Sequence, residues 1–463
     1  MKRIIPLLPM LAAMLAASCS VARRCEAPRL DLPAEIVAGR NDSLTVADIA
    51  WWDFYGDSLL RGIIERTLDN NREMQAAAAR VERMRRLYRI AQANRLPELS
   101  GSLLADHETN DYADEASSRD PQFDIKLGLS WELDLWGNLR WAKRKGGAEY
   151  LATVGDERAM RMTLVAEAAA AYYRLIALDN ELAIVRRTLA TRREGVYQAR
   201  LRFEGGLTSE TVFQQAKVEY AATAALIPDL ERRIETTENA LALLMGDYAD
   251  RKVARTPMRT ETTMADSLPV GIPSVLLRRR PDVQAAEQRL QAAMAAAGMA
   301  YADRFPRIVF RLTGGFENDD LAGLFRSPFS YVAGTLAAPV FGFGRKRAAY
   351  EAALAAYDEA RALYEQKVLE VFKEAEDAVI AYRSARRAAG LKADLRDAAR
   401  KYVELAHLQY RAGSINYIDV LDAQRRYFDA ETGLSNALRD ERLALVALYK
   451  ALGGGWRTEP AAD

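Results

Sequence analysis

The chain has 463 residues, 50% of them hydrophobic and 28% charged, with a formal net charge of +1. That length allows two or three ordinary domains or one elongated one, and the near-neutral balance offers a polyanion no long-range attraction, which sets nucleic acid aside as a partner. No run of about 18 apolar residues occurs, so no helix spans a bilayer, and any membrane-spanning form of this chain has to be a β-barrel.

Lys2 and Arg3 precede an apolar stretch, Ile4–Ala17, that ends in small residues, the pattern of an export signal. The following Leu15-Ala16-Ala17-Ser18-Cys19 is similar to the bacterial lipobox. Residues 1–18 are therefore read as a lipoprotein signal peptide and Cys19 as the lipid-modified first residue of the mature chain. An ordinary signal peptide with an incidental cysteine is the alternative. Each buried methylene of an acyl chain contributes about 0.8 kcal/mol, so a multiply acylated Cys19 would hold the N-terminus firmly. Cys25, the other cysteine, is given no redox role. His107 and His407 are the two histidines, too far apart in sequence to announce a metal site or a triad.

Residues 19–57 read as a lipid-anchored linker carrying Pro28, Pro33 and Gly39. The aromatic cluster Trp51, Trp52, Phe54 and Tyr55 at its end is expected to staple onto a helix opening near Ser58. That helix is expected to run unbroken to about Arg95 and to stop before Pro97. Strands follow at about 98–107 and 122–136. In the second, Phe123, Ile125, Leu127, Leu129, Trp131, Leu133 and Leu135 alternate strictly with polar or small residues, giving one apolar and one polar face. A helical region from Leu139 to about Phe203 would approach roughly 100 Å if continuous. Gly205-Gly206 ends it, and a second helix is expected from Ser209 to Leu244.

The second half repeats the first. At an offset of 207, Gly206 meets Gly413, Gly137 meets Gly344, Tyr220 meets Tyr427 and Gly246 meets Gly453; at 209, Pro97 meets Pro306 and Arg80 meets Arg289. Residues 58–246 thus form a first repeat and 274–453 a second, with an irregular segment at 247–273 between them and a tail at 454–463. The second repeat places strands at about 307–316 and 329–341. Ile308, Phe310, Leu312 and Phe316 share one face of the first of these, and Phe329 and Tyr331 open the alternation of the other.

Two repeats give four strands, whereas small membrane barrels need eight, and an open sheet edge cannot face lipid. A spanning form must then share its barrel among copies of the chain. The long alanine-rich helices likewise suit an extended helical assembly better than one globular core.

The segments WWDFYGDSLLRGIIERTLDNN, WELDLWGNLR, LRRRPDVQAAEQRL and QYRAGSINYIDVLDAQRRYFDAE occur in this order and cover nearly all of the chain beyond the signal. In them the chain resembles the TolC family of outer membrane factors, specifically the lipoprotein branch of RND-type efflux systems (OprM/NodT-like). The resemblance implies a mainly α protein with a membrane β-barrel. Four strands per protomer would close a 12-stranded barrel in a homotrimer, above a long α-helical periplasmic barrel. It implies a passive outer membrane conduit for small molecules, not an enzyme. Its partners would be a periplasmic adaptor protein, an inner-membrane RND pump and outer membrane lipid, with no cofactor beyond the covalent lipid on Cys19. A type I protein secretion channel and a non-channel helical surface lipoprotein are the alternatives.

Asp419 and Asp422 lie three apart and share one helix face just after Gly413. By the resemblance they ring the periplasmic entrance as a channel gate, with pKa values raised by like charges. The polar face of an ordinary helix is the plain alternative. Val212 and Gln215 occupy the matching positions of the first repeat, so a ring rests on the second alone. The tips around Gly205, Gly206 and Ser209, and around Gly413 and Ser414, are the expected adaptor-docking surface, although turn chemistry by itself also explains the glycines.

Overall fold

A computed structural model describes residues 45–110, 118–249, 252–258, 268–338 and 341–456, together with Cys25, Pro28, Leu30, Leu32, Pro33, Glu35 and Ile36. The signal and lipid-attachment reading of 1–19 lies outside these residues. In chain order the elements are α1 (Trp51–Phe54), α2 (Ser58–Asn70), α3 (Arg72–Ala93), β1 (Glu98–Asn110), β2 (Ser118–Leu133), α4 (Asn138–Glu204), α5 (Glu210–Ala224) and α6 (Leu226–Leu244). There follow α7 (Pro273–Arg279), α8 (Pro281–Ala302), β3 (Arg307–Asn318), a 3-10 turn (Leu321–Arg326), β4 (Pro328–Ala337), α9 (Arg345–Arg411) and α10 (Tyr417–Ala451). The chain divides into two compact units, one built on Ala79–Val154 and Gln284–Lys367, the other on Asp31–Ala78, Gly155–Val283 and Val368–Asp463.

The first unit holds an antiparallel sheet in the order β1-β2-β3-β4. Its register aligns the apolar rows of all four strands. Leu99 faces Leu129, which faces Leu312, which faces Val332. Phe310 lies opposite Trp131, and Ile308 stands between Leu133 and Leu336. Strict alternation on β2 produces this, because a slip of one residue in any pairing would turn a whole row over. The fourth strand differs from its sequence reading. Phe329 and Tyr331 pair with Gly315 and Thr313 and so lie on the polar face, while Val332 and Leu336 supply the apolar one. The leading aromatics suggest the opposite phase, and only the partner strand fixes it. Gly315 permits close pairing, since a Cβ there would come within 2.0 Å of the Ile125 carbonyl oxygen.

At the base of the sheet, the Asp134 carboxylate accepts from the amides of Leu139 (2.9 Å) and Arg140 (2.8 Å), ending β2 and starting α4. Trp136 stacks on Phe305 at 4.8 Å and donates from its indole to the Pro306 carbonyl at 2.7 Å. Cys25 is buried in this unit, and burial, with Asp358 adding, pushes its thiol up.

The second unit buries Tyr172, Leu175, Val165, Ile64, Tyr382, Val371, Leu241 and Leu448. Side chains of the larger aliphatic kind each contribute about 1.5–3 kcal/mol on full burial. The aromatic staple takes a different partner from the expected one. Phe54 stacks on Tyr449 of α10 at 4.1 Å, and Tyr55 meets the same ring edge-on at 5.9 Å. The Tyr449 hydroxyl in turn donates to the Ile49 carbonyl at 2.6 Å.

Two helices expected to be continuous are broken. Asn71 is extended (ψ 128°), and its side-chain oxygen accepts from the Met74 amide at 3.1 Å, so α3 starts afresh there. The second break, at Ala225, precedes Pro228, which has no N–H to give the preceding turn. The repeat position of Pro228 is Ser435, and α10 runs through it unbroken.

Both repeats close their return helix in one way. Asn71 donates to the Leu244 carbonyl at 3.0 Å, and at the matching place Arg280 donates to the Ala451 carbonyl at 3.0 Å. Beyond each carbonyl a glycine takes positive φ, Gly246 at 71° and Gly453 at 84°. The segment between repeats is pinned as well. Thr256 and Tyr172 both donate to the Asp57 carboxylate, at 2.8 and 2.9 Å, while Arg255 pairs with Asp179 and Glu238.

The two locks predict a ranking. Asn71→Ala removes a cap and one hydrogen bond and should cost about 1–2 kcal/mol. Arg280→Ala also strips a buried guanidinium from Asp282 and Glu374, each 2.7 Å away, and should cost roughly 3 kcal/mol or more. Denaturant unfolding followed by circular dichroism checks the order; equal losses would contradict it.

Candidate functional site

Two regions have the geometry of a working surface, one in each unit. The first is the sheet. Its apolar face is uncovered in the single chain: Leu103 is 75% exposed, Leu127 61% and Val332 66%. Its outer strands each have one partner only, β2 for β1 and β3 for β4, which leaves two rows of backbone donors and acceptors open. The opposite face is polar. There Lys126 Nζ lies 2.7 Å from the buried Asp124 carboxylate and 3.5 Å from Glu317. One side of the sheet thus suits hydrocarbon and the other water.

The second region is the paired helix ends of the other unit. Both tips make the same turn. The Gly206 amide donates to Phe203 O (3.0 Å) and the Leu207 amide to Arg202 O (2.8 Å); likewise Gly413 donates to Tyr410 O (3.0 Å) and Ser414 to Gln409 O (2.9 Å). Gly206 (φ 71°) and Gly413 (φ 74°) occupy the left-handed conformation that this helix ending requires. Ser209 precedes α5 without capping it through its side chain.

Asp419 stands on the first turn of α10 and Asp422 on the second. The Asp419 carboxylate accepts from the Asn416 amide at 3.0 Å and closes the helix start. Asp422 is held at 2.7 Å by Arg426 and at 2.6 Å by Arg425. Within one chain the hydrogen bond from Arg426, with both positive charges adding, keeps the Asp422 carboxyl below its ordinary range. The expected upward shift depends on like charges from further copies of the chain; within one chain the charges nearest Asp422 are those of Arg425 and Arg426. Val212, at the Asp419 position of the first repeat, has no carboxylate to cap its own helix.

Several residues at the tips carry no motif. Arg202 donates to the Tyr410 hydroxyl and lies over its ring at 4.9 Å, which ties the first tip to the second. Tyr417 reaches α4 because Gly195 has no Cβ; one there would sit 2.7 Å from the phenol oxygen. Further along, buried Arg192 bonds the Glu219 carbonyl at 2.7 Å and its carboxylate at 3.0 Å, and lies over Phe428 at 5.5 Å. Between these helices is a cleft of about 570 Å³ lined by Arg202, His407, Tyr410, Arg411, Tyr417 and Gln424, among others. Burial, with Arg411 adding, holds the His407 imidazole below its usual value and so neutral at pH 7. At the repeat offset of 207 Tyr410 matches Phe203, which marks symmetry and not contact. Among the described residues no cluster of histidine, cysteine and carboxylate side chains could hold a metal ion.

Comparison with known proteins bears on both regions. Residues 63–247 and 272–454 match the family described as outer membrane efflux protein. The chain is 31% identical to the solvent efflux pump outer membrane protein SrpC of Pseudomonas putida, over 97% of this chain and 98% of that protein. It is 29% identical to the cation efflux system protein CusC of Escherichia coli O6:H1, over 97% and 99%. Among solved structures it resembles the outer-membrane channel OprN with a TM-score of 0.86 at 28% identity, covering 93% of this chain and 98% of that one.

The capping role assigned to Asp419 has a local readout. Asp419→Ala should speed hydrogen exchange of the Asn416 amide by about 5–10-fold, the equivalent of a lost cap, while Val212→Ala leaves α5 unchanged. Unaltered exchange at Asn416 would contradict it.

Proposed function

The chain belongs to the outer membrane efflux protein family, and from that premise we propose how this outer membrane efflux component is assembled and gated. One observation carries the proposal: four strands in a register that makes one face continuously apolar, with both edges open. In a bilayer, every backbone donor and acceptor needs a partner within the protein, and a closed barrel is the solution available to strands. Three copies, β4 of each pairing with β1 of the next, close a 12-stranded barrel. The Leu, Val and Phe rows then face lipid, and Asp124, Lys126 and Glu317 face a water-filled interior.

The conduit is passive. A periplasmic adaptor joins it to an inner-membrane pump of the RND type and docks at the tips bearing Gly205, Gly206, Ser209, Gly413 and Ser414. SrpC is named for solvents and CusC for cations, and this chain is about equally similar to both. We therefore assign the choice of substrate to the pump. Cys19 carries the lipid that holds the N-terminus at the membrane.

Asp419 and Asp422 narrow and charge the periplasmic entrance. Their chemistry in the chain refines the gate. Each Asp422 is paired with Arg425 and Arg426 of its own chain, so its part of the ring is a salt-bridged collar of mixed sign. Cutting the collar widens the entrance. The double variant Asp419→Ala, Asp422→Ala should raise single-channel conductance in planar bilayers and weaken cation preference. If both stay at wild-type values, these residues are not the gate.

Radiolabelled palmitate fed to cells should label the full chain and not the Cys19→Ala variant. Equal labelling of the two would remove the lipid from Cys19.

A further inference from the structure

The loop joining β3 to β4 is an ordered 3-10 turn, Leu321–Arg326, at the end of the sheet away from the helices. Two contacts place it on the apolar side of the sheet. Asn318 pairs with Phe123 and so belongs to the apolar row; its side-chain amide donates to the Gly323 carbonyl at 3.1 Å and the Ser327 hydroxyl at 2.9 Å, and its oxygen accepts from the Asp320 amide at 3.0 Å. Phe316, in the same row, meets the Phe325 ring edge-on at 5.4 Å. Gly323 makes the approach feasible, because a Cβ there would lie 2.9 Å from the Asn318 amide nitrogen.

Leu324 is the residue that buries itself and holds the turn. Leu321 and Phe325 do not. They remain 63% and 69% exposed, although the turn is already fixed by Asn318, Leu324 and the Asp320 cap. Two large apolar side chains held outward on a rigid turn, continuous with a face that meets lipid, have a ready occupant in lipid itself. The turn leans over β3 and β2, away from the β4 edge where the next copy would attach, so a second chain does not account for it.

We propose that Leu321–Arg326 is a lipid-contacting clasp at the outer rim of the barrel, in which Leu321 and Phe325 enter the outer leaflet. Asn318 positions the turn, and the exposed Arg326 flanks it at headgroup level. The clasp prolongs the apolar band past Phe316, where the apolar row of β3 ends in the polar Asn318. It rests on the barrel reading, and the test separates the two.

Leu321→Cys, Phe325→Cys and, as a reference on the strand face, Leu312→Cys are each spin-labelled in the full-length protein. The protein is reconstituted into phosphatidylcholine vesicles, with unlabelled wild type controlling for the buried Cys25. Collision with oxygen, which concentrates in lipid, is compared with collision with a water-soluble nickel chelate. The clasp predicts that oxygen collisions exceed nickel collisions several-fold at 321 and 325, as at 312. Nickel dominance at 321 and 325 with oxygen dominance at 312 overturns the clasp and leaves the barrel standing. Weak collision with both reagents at 321 and 325 means that protein covers them, and overturns it too. Nickel dominance at 312 overturns the barrel reading and the clasp with it.

Discussion

Everything in this molecule follows from a sheet that cannot be complete in one chain. Four antiparallel strands present a continuous apolar face and two unpaired edges. In water the face would be a strong aggregation site, and in lipid the edges would cost several kcal/mol for each unpaired backbone group. Neither solvent tolerates the isolated sheet. Closing it with copies of itself in a membrane removes both costs at once, and the outer membrane location of the family is consistent with that solution.

Duplication supplies the rest of the plan and also its asymmetry. The glycines that reverse the chain recur at the same offset, and in both repeats a side chain before the third or eighth helix ties down the last carbonyl of the return helix. The repeats then diverge where function is expected. The first has Val212, Gln215 and Pro228 where the second has Asp419, Asp422 and Ser435. The proline breaks one return helix, and the carboxylates cap and charge the start of the other. A duplicated scaffold thus carries one hairpin without these two carboxylates and one with them.

Much of this was legible in the residues. Period-two alternation marks β2 so clearly that its face assignment needed no partner, and the glycine offset exposed the repeat. What failed to show was contact between distant segments. The phase of β4 depends on β3, since Phe329 and Tyr331 look apolar but pair opposite Gly315 and Thr313. The staple on Tyr449 and the Arg202–Tyr410 tie join residues far apart in sequence, with no spacing to announce them. Asp422 was visible as a charge on a helix face. Its arginine neighbours three and four residues on were visible too, and their i,i+3 and i,i+4 reach is what lowers its carboxyl pKa and favours the ionised form. The turn at Leu321–Arg326 gave no sequence signal, because its meaning lies in which side of the sheet it folds onto.

The claim that one chain holds a third of a barrel is tested most directly by native mass spectrometry of the detergent-extracted protein. The account predicts a single assembly of three chains that survives gentle activation. A monomer that keeps its β-sheet signal, or a closed assembly of any other number of copies, would contradict it.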